Sequence, residues 1–147
     1  CHIGELQVQD VHDLMKVESP APIAMTSAPG KRLPANCTAL GKALLCEHTL
    51  EELKALFNGK LVRLTEHSVV DIDVLYQQLL EVRRTGIAQE KEENYEFVQC
   101  IATPLYKNGK PVLALSISFP TFRYTEEKNE KLKKLLLDAK MSLELII

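Results

Sequence analysis

The sequence lacks the features that mark several large classes of protein. It contains no tryptophan and only six glycines and seven prolines among 147 residues, and 46% of its residues are hydrophobic. This composition excludes collagen-like, low-complexity and disordered chains. The apolar stretch at residues 112–119 is far shorter than the roughly 20 residues that cross a bilayer, so we expect no membrane segment.

An excess of positive charge is also missing. Eighteen Lys and Arg residues face 20 Asp and Glu residues, which gives a net charge of -2 at pH 7. Because a nucleic-acid backbone attracts clustered positive charge, the chain by itself is not expected to bind DNA. The length is that of one globular domain. Since the chain begins at Cys1 and shows no signal peptide, we expect residues 1–147 to be one domain excised from a larger protein.

The sequence contains no familiar catalytic or metal-binding motif. It has no GxSxG, HExxH, GxxxxGK[ST] or GxGxxG, so we do not expect an enzyme. The four cysteines form no CxxC pair, and three of them lie in apolar or helical surroundings typical of buried thiols in a reducing cytoplasm. Histidine and cysteine spacing indicates no metal site and no cofactor. One alternative stays open, in which Cys100 and Cys37 act in a thiol-based redox sensor or a Cys-dependent enzyme.

Hydrophobic periodicity in the first third of the chain predicts strands followed by a helix. Residues 1–8 and 13–18 alternate as a hairpin around a turn at residues 9–12. Residues 23–27 are expected to form a short edge strand, and residues 28–34 a loop. From Thr38, small and apolar residues at helical spacing predict a buried helix, in which Gly41 indicates a close approach to the backbone.

Capping residues mark three further helices. Thr49 and Glu52 match a capping box, and Asn58-Gly59 ends that helix. Asp71 or its neighbour is expected to cap the next helix, which Gly86 terminates, and Thr125 to cap the last one. Arg83 and Arg84 fall in a last helical turn, where a solvated helix end is a simpler interpretation than ligand binding.

The second half of the chain predicts another hairpin and the fold class. Residues 98–106 and 111–119 are strand-like runs joined through Asn108-Gly109, a strong hairpin signal. The order of hairpin, helices, hairpin and helix predicts an α+β fold in which helices pack on an antiparallel sheet.

The strand at residues 112–119 has two faces of different chemistry. Leucine, isoleucine and phenylalanine point one way, whereas Ala114, Ser116 and Ser118 point the other. Such a small, hydroxyl-bearing face either meets solvent or lines a cavity for a polar ligand.

Several linked segments resemble the C-terminal effector-binding domain of IclR-family bacterial transcriptional regulators. LPANCTALGKALL at residues 33–45 resembles the family's "LP…TALGKALL" segment, and residues 79–93 its "L…VR…GY…EE" helix and turn. CIATP at residues 100–104 is similar to its "CIAxP" strand, and SIS at residues 116–118 to its "SxS" strand. The order and spacing agree over nearly the whole chain.

The resemblance implies a GAF-like domain, with a curved antiparallel sheet and flanking helices, that binds a small organic acid or sugar acid. It implies that an N-terminal winged helix-turn-helix, which would contact DNA, and the opening helix of the effector domain are absent from this chain. It also implies a homodimer or homotetramer that is located in the cytoplasm and has no membrane partner. The implied effector-binding residues are Ala39, Leu40, Gly41, Glu90, Val98, Cys100, Ser116 and Ser118.

The sequence also departs from the family pattern. Many relatives carry Gly at the position of Phe97 and Asp at the position of Glu90, and both changes add bulk beside the expected pocket. One further alternative is therefore an interaction module whose cavity is vestigial or is filled by Phe97. Residues 116–123 resemble members that respond to sugar-acid intermediates.

Overall fold

The computed structural model describes residues 1–18 and 30–147, which form one curled antiparallel sheet with helices on both faces. In chain order, the strands are β1 (His2–Gln7), β2 (Asp10–Lys16), β3 (Arg32–Pro34), β4 (Ala88–Lys91), β5 (Val98–Lys107) and β6 (Lys110–Pro120). Their order across the sheet is β3-β2-β1-β6-β5-β4. The α+β class and the antiparallel sheet predicted from the sequence are confirmed.

Both predicted hairpins are present, and the first has a tighter turn than expected. β2 begins at Asp10 rather than near Asp13, because the turn consists of Val8 and Gln9 alone. Val8 adopts a positive φ of 57°, which allows this two-residue reversal. The second hairpin turns at Asn108-Gly109 as predicted, and both of these residues have positive φ.

Two short strands were not predicted. The segment at residues 28–34 is not entirely a loop, because Arg32, Leu33 and Pro34 pair with β2 as the edge strand β3. At the opposite edge, β4 pairs with β5 over four residues, too few to show a clear alternation. The edge strand expected at residues 23–27 lies outside the described residues.

The described part of the chain contains four α-helices at the predicted places. They are α1 (Ala39–Leu44), α2 (Leu50–Phe57), α3 (Ile72–Thr85) and α4 (Glu126–Glu144). Thr49 and Glu52 form the predicted capping box, Asp71 caps α3, and Thr125 caps α4. Asn58 and Gly86 end α2 and α3 in the left-handed conformation that is common at helix C-termini. None of the helices in the described residues has the length and hydrophobicity of a membrane-spanning segment.

The sheet separates two hydrophobic cores. Helices α1, α2 and α3 pack on one face, with Leu44, Leu53 and Leu79 among the fully buried side chains. Helix α4 packs on the other face, where Leu136 contacts a cluster that includes Leu115 of β6. The side chains of β6 thus alternate between the two faces as predicted, and Ala114, Ser116 and Ser118 lie on the α1 side.

Gly41 and Arg83 fix how α1 and α3 meet the rest of the chain. A Cβ at Gly41 would lie 2.0 Å from the carbonyl oxygen of Ala35, which is the close approach that the sequence indicated. Arg83 is not merely a solvated helix end, because its guanidinium donates to the carbonyl oxygens of Cys46 and His48. Arg84, by contrast, pairs with Glu81 at the surface.

Candidate functional site

A cavity opens between the start of α1 and the small-residue face of the sheet. It encloses about 40 Å³, which is room for only a few water molecules. Apolar side chains are combined there with hydroxyl, thiol, imidazole and carboxyl groups. The lining residues are His2, Asp13, Leu33, Thr38, Ala39, Leu40, Glu90, Asn94, Tyr95, Val98, Cys100, Ser116 and Ser118.

The structure brings seven of the eight expected effector-binding residues together in this cavity. They are Ala39, Leu40, Glu90, Val98, Cys100, Ser116 and Ser118. Gly41 is not part of the lining, and its amide donates a 2.9 Å hydrogen bond to Oγ1 of Thr38. That amide is therefore engaged in capping α1, while the missing side chain lets α1 pack against Ala35.

Two serines and a cysteine form the polar floor of the cavity. Ser116 is almost fully buried, and it stands opposite Ala102 of β5 and His2 of β1. Ser118 stands opposite Cys100, and its Oγ lies 2.9 Å from the thiol sulfur. Because hydroxyl hydrogens rotate, both serines can donate to or accept from a ligand above the sheet.

His2 and Asp13 form a buried pair on the neighbouring strands β1 and β2, beside Ser116. Nδ1 of His2 lies 3.1 Å from Oδ2 of Asp13, and both side chains are about 95% buried. The other Asp13 oxygen, Oδ1, has no hydrogen-bond partner in the described part of the chain. Burial lowers the pKa of His2, although the Asp13 carboxylate opposes that shift. The pair thus presents an unsatisfied acceptor at the cavity.

His2 and Asp13 were not predicted from the sequence as effector-binding residues. The alternation predicted for residues 1–8 was the available signal for His2, whose side chain shares one strand face with Gly4. Asp13 follows a shift of register between Ile3 and Gly4 in the β1–β2 ladder, and that shift is not visible in the alternation of either strand. Leu33, Thr38, Asn94 and Tyr95 were missed as well.

Glu90 is the second carboxyl group in the cavity. It projects from β4, is 5% exposed, and accepts a 3.0 Å hydrogen bond at Oε2 from the amide of Glu93. Burial raises the pKa of Glu90 to about 7, although the Glu93 amide favours the ionised form. At neutral pH this carboxyl therefore exists in comparable amounts with and without its proton.

Phe97 does not fill the cavity. Its side chain is 66% exposed and is not part of the lining. Its φ is 63°, in the left-handed region that favours glycine, and its amide donates to Oε1 of Glu92. The interaction-module alternative that relied on Phe97 closing the pocket thus has no support in the geometry.

A contact between two loops borders the mouth of the cavity. Nζ of Lys31 donates a 3.2 Å hydrogen bond to the hydroxyl of Tyr95, and it also lies 5.9 Å from the centre of that ring. Tyr95 belongs to the turn between β4 and β5, whereas Lys31 precedes β3. The contact connects these two segments beside the cavity that Tyr95 and Leu33 line.

The surroundings of Cys37 and Cys100 do not favour a reactive thiol. All four are free, and Cys37 and Cys46 are buried. Burial raises the pKa of both Cys37 and Cys100, and the neighbouring Glu90 carboxyl adds to the rise at Cys100. Since the thiolate is the nucleophile, these surroundings suppress reactivity. Within the described ranges, no group of three or more His, Cys, Asp or Glu side chains is placed to hold a metal ion.

Known proteins with similar sequences are bacterial regulators of transcription. Residues 1–144 match the family model described as "Bacterial transcriptional regulator IclR C-terminal". The HTH-type transcriptional regulator KdgR of Escherichia coli strain K12 is 34% identical over 140 residues, which cover 94% of this chain and 53% of KdgR. The chain thus spans about half the length of the curated relatives it matches.

Solved structures show the same fold. The crystal structure of the C-terminal domain of E. coli KdgR superposes with a TM-score of 0.86 at 31% identity, covering 98% of this chain and 84% of that one. The inducer-binding domain of the transcription factor PobR from Acinetobacter, solved as a double mutant in complex with 3-hydroxybenzoic acid, also has a TM-score of 0.86. It is 25% identical, with coverage of 99% of this chain and 87% of that one.

Proposed function

The chain belongs to the IclR family of bacterial transcriptional regulators, whose C-terminal domain it matches over residues 1–144, and we propose that it is an effector-sensing domain. The effector is a small organic acid or sugar acid that binds in the cavity between α1 and the sheet. The observation that carries this proposal is the convergence of the polar side chains of Glu90, Cys100, Ser116 and Ser118 on one cavity with mainly apolar walls.

The donors in the cavity suit a carboxylate or a hydroxylated acid. The Ser116 and Ser118 hydroxyls point from the sheet, and the Thr38 hydroxyl accepts from the Gly41 amide and so keeps its own hydrogen to donate. The apolar side chains of Leu40 and Val98 surround these groups. A few fixed polar groups within an apolar wall are typical of small-molecule sites.

The size of the cavity indicates that larger effectors rearrange its mouth. A volume of about 40 Å³ accommodates a carboxylate group but not a six-carbon acid. Leu33 and Tyr95 line the cavity from loop and edge positions, where side chains move at lower cost than in the cores. We therefore infer that binding displaces the Tyr95 side of the cavity.

Control of transcription follows by coupling to a DNA-binding domain elsewhere in the whole protein. An effector changes operator affinity only if it binds two arrangements of the subunits with different affinity. The resulting coupling free energy is typically about 1–3 kcal/mol. Such a regulator acts on chromosomal DNA in the cytoplasm. We infer a homodimer or homotetramer, in which the exposed Leu135, Met141 and Leu145 of the α4 region contact a second copy.

A thermal-shift screen of this chain tests the proposal. Small carboxylates, keto acids, sugar acids and aromatic acids are added singly, and a ligand that binds only the folded state raises the melting temperature. Ser116→Ala should raise the ligand concentration that is needed for the same increase in melting temperature at least fivefold. Ser142→Ala, which removes an exposed hydroxyl of α4, is the matched control and should leave it unchanged. Absence of stabilisation by every acid would contradict the proposal.

A further inference from the structure

The cavity contains acidic groups but no permanent positive charge. Its lining has two carboxyls, Asp13 and Glu90, and one imidazole, His2. None of the lining residues within residues 1–18 and 30–147 is Lys or Arg, and residues 19–29 contain no charged side chain at all. His2 is paired with Asp13, so that carboxyl lies next to the imidazole and offsets positive charge on it. Among the described lining residues, a carboxylate that enters the cavity therefore meets no Lys or Arg side chain, and Lys31 contacts Tyr95 at the mouth without being part of the lining.

Glu90 is the carboxyl group for which repulsion by an entering carboxylate matters most. Its neighbours are Glu93 in the following turn, Lys42 on α1 and Cys100 on β5. The ammonium of Lys42 is already 2.5 Å from Oε2 of Glu93, so its charge is largely neutralised by that partner. One oxygen of Glu90 accepts from the Glu93 amide, and Glu90 lines the cavity with no full cationic partner of its own among the described residues.

This inference rests on the proposed function. We propose that a carboxylate effector enters the cavity together with one proton from solvent, and that Glu90 holds this proton in a hydrogen bond to the effector carboxylate. Two carboxylates in contact cannot both remain ionised in a buried site, so one proton is shared between them. Glu90 is then a donor that selects for an anionic acceptor, and the sensor responds to effector and pH together.

The expected pH dependence has a definite sign. With no effector, the pKa of Glu90 is about 7, so most molecules carry the proton at pH 6 and few carry it at pH 8. A bound carboxylate raises that pKa further, because it disfavours a second negative charge. Affinity should therefore be nearly constant below pH 6 and fall about tenfold between pH 6 and pH 8, with uptake of about 0.9 proton per effector at pH 8.

Isothermal titration calorimetry at pH 6 and pH 8 tests this, in pairs of buffers with different ionisation enthalpies. The probes are pyruvate, D-gluconate and 3-hydroxybenzoate. For the unsubstituted chain, Kd should be about tenfold higher at pH 8 than at pH 6, and binding at pH 8 should take up about 0.9 proton. Glu90→Gln, which keeps a hydrogen-bond donor but cannot ionise, should reduce the ratio to below about twofold. His2→Gln should retain the ratio, since the proton is not held on the imidazole.

The outcomes separate this inference from the proposed function. Binding of a probe with equal Kd at both pH values and no proton uptake overturns the inference and leaves the sensor proposal in place. A ratio that persists in Glu90→Gln but disappears in His2→Gln assigns the proton to His2 and also overturns it. Failure of every probe to bind at either pH contradicts the sensor proposal itself.

A ligand-free measurement completes the test. The carboxyl carbon resonances of the unsubstituted chain, with Glu90 assigned from its loss in Glu90→Gln, are followed by NMR between pH 4 and pH 9. Glu90 should titrate near neutral pH. Titration of Glu90 in the ordinary range of glutamate, near 4.5, would overturn the inference even if no probe had been found.

Discussion

Lys42 and Glu93 form an ion pair in which the ammonium nitrogen lies 2.5 Å from a carboxylate oxygen and both side chains are more than 90% buried. Lys42 extends from α1, and Glu93 belongs to the turn after β4, three residues from Glu90. The other Glu93 oxygen accepts from the amide of Val69, and the Glu93 amide donates to Glu90. The pair therefore fixes the turn that supplies one wall of the cavity.

Removal of Lys42 should be strongly destabilising. Lys42→Met leaves the Glu93 carboxylate buried without its partner, and the expected loss in the free energy of unfolding is about 3 kcal/mol. The double variant Lys42→Met with Glu93→Gln removes both charges and should recover about 2 kcal/mol of that loss. Urea denaturation measures both values. Lys131→Met, which breaks an exposed pair with Glu127, is the control and should barely move the midpoint.

Gly41→Ala should destabilise the chain through a backbone clash. The added methyl group would lie 2.0 Å from the Ala35 carbonyl oxygen, so α1 must move away from the preceding turn, at a cost of about 3 kcal/mol. Gly59→Ala is the control, because that position has a positive φ but nothing within 4 Å, and it should cost only about 1 kcal/mol. If Gly41→Ala and Gly59→Ala lost the same free energy of unfolding in thermal or urea denaturation, α1 would be shown to move away from Ala35 at no cost.

Glu90→Gln should stabilise the chain at high pH. Burial raises the pKa of Glu90 from an ordinary 4.5 to about 7, so the folded state retains a proton that the unfolded state has lost. The free energy of unfolding of the unsubstituted chain therefore falls as pH rises from 4.5 to 7, by about 3 kcal/mol from this group. The free energy of unfolding of Glu90→Gln, relative to that of the unsubstituted chain, should therefore increase by about 2 kcal/mol from pH 5 to pH 8.

The same urea curves provide the control for Glu90. Glu130→Gln, at an exposed position of α4, should follow the unsubstituted chain at every pH. If the Glu90→Gln curve also runs parallel to that of the unsubstituted chain, then Glu90 ionises in the folded state as it does in the unfolded state.

Arg83 and Arg84 are adjacent but should respond differently to substitution. Arg83→Gln removes hydrogen bonds to the carbonyl oxygens of Cys46 and His48, which end the segment after α1, and should cost about 1 kcal/mol. Arg84→Gln removes only the exposed contact to Glu81 and should leave the melting temperature within a degree. A larger effect at Arg84 would contradict this assignment.

Most of the fold could be predicted because its signals are local. A capping box, an Asn-Gly turn and a helix stop depend on residues within a few positions of one another, and Thr49, Asn108 and Gly86 all behave as predicted. Strand β4 could not be found in this way. Four residues are too few for a periodic pattern. β4 is stabilised by its pairing with β5, whose residues are not its neighbours in the sequence.

The candidate site was predictable where one strand carries it. Alternation along β6 separated Ser116 and Ser118 from the apolar face without any knowledge of neighbours. The pair of His2 and Asp13 required the register between β1 and β2, including its shift after Ile3. The hydrogen bonds of Arg83 required the path of the irregular segment near Cys46, for which the sequence offers no periodic signal.

The alternation along β6 has a consequence for how such a domain changes over evolutionary time. Positions 116 and 118 line the cavity and position 114 packs into the core on the same face, whereas positions 113, 115 and 117 pack against the cluster that holds α4. Mutations can therefore alter the chemistry of one side of the strand while the other side preserves the scaffold. A library randomised at 116 and 118 alone would sample new ligand preferences within a population of folded proteins, which is the condition for recruiting one regulator to many metabolites.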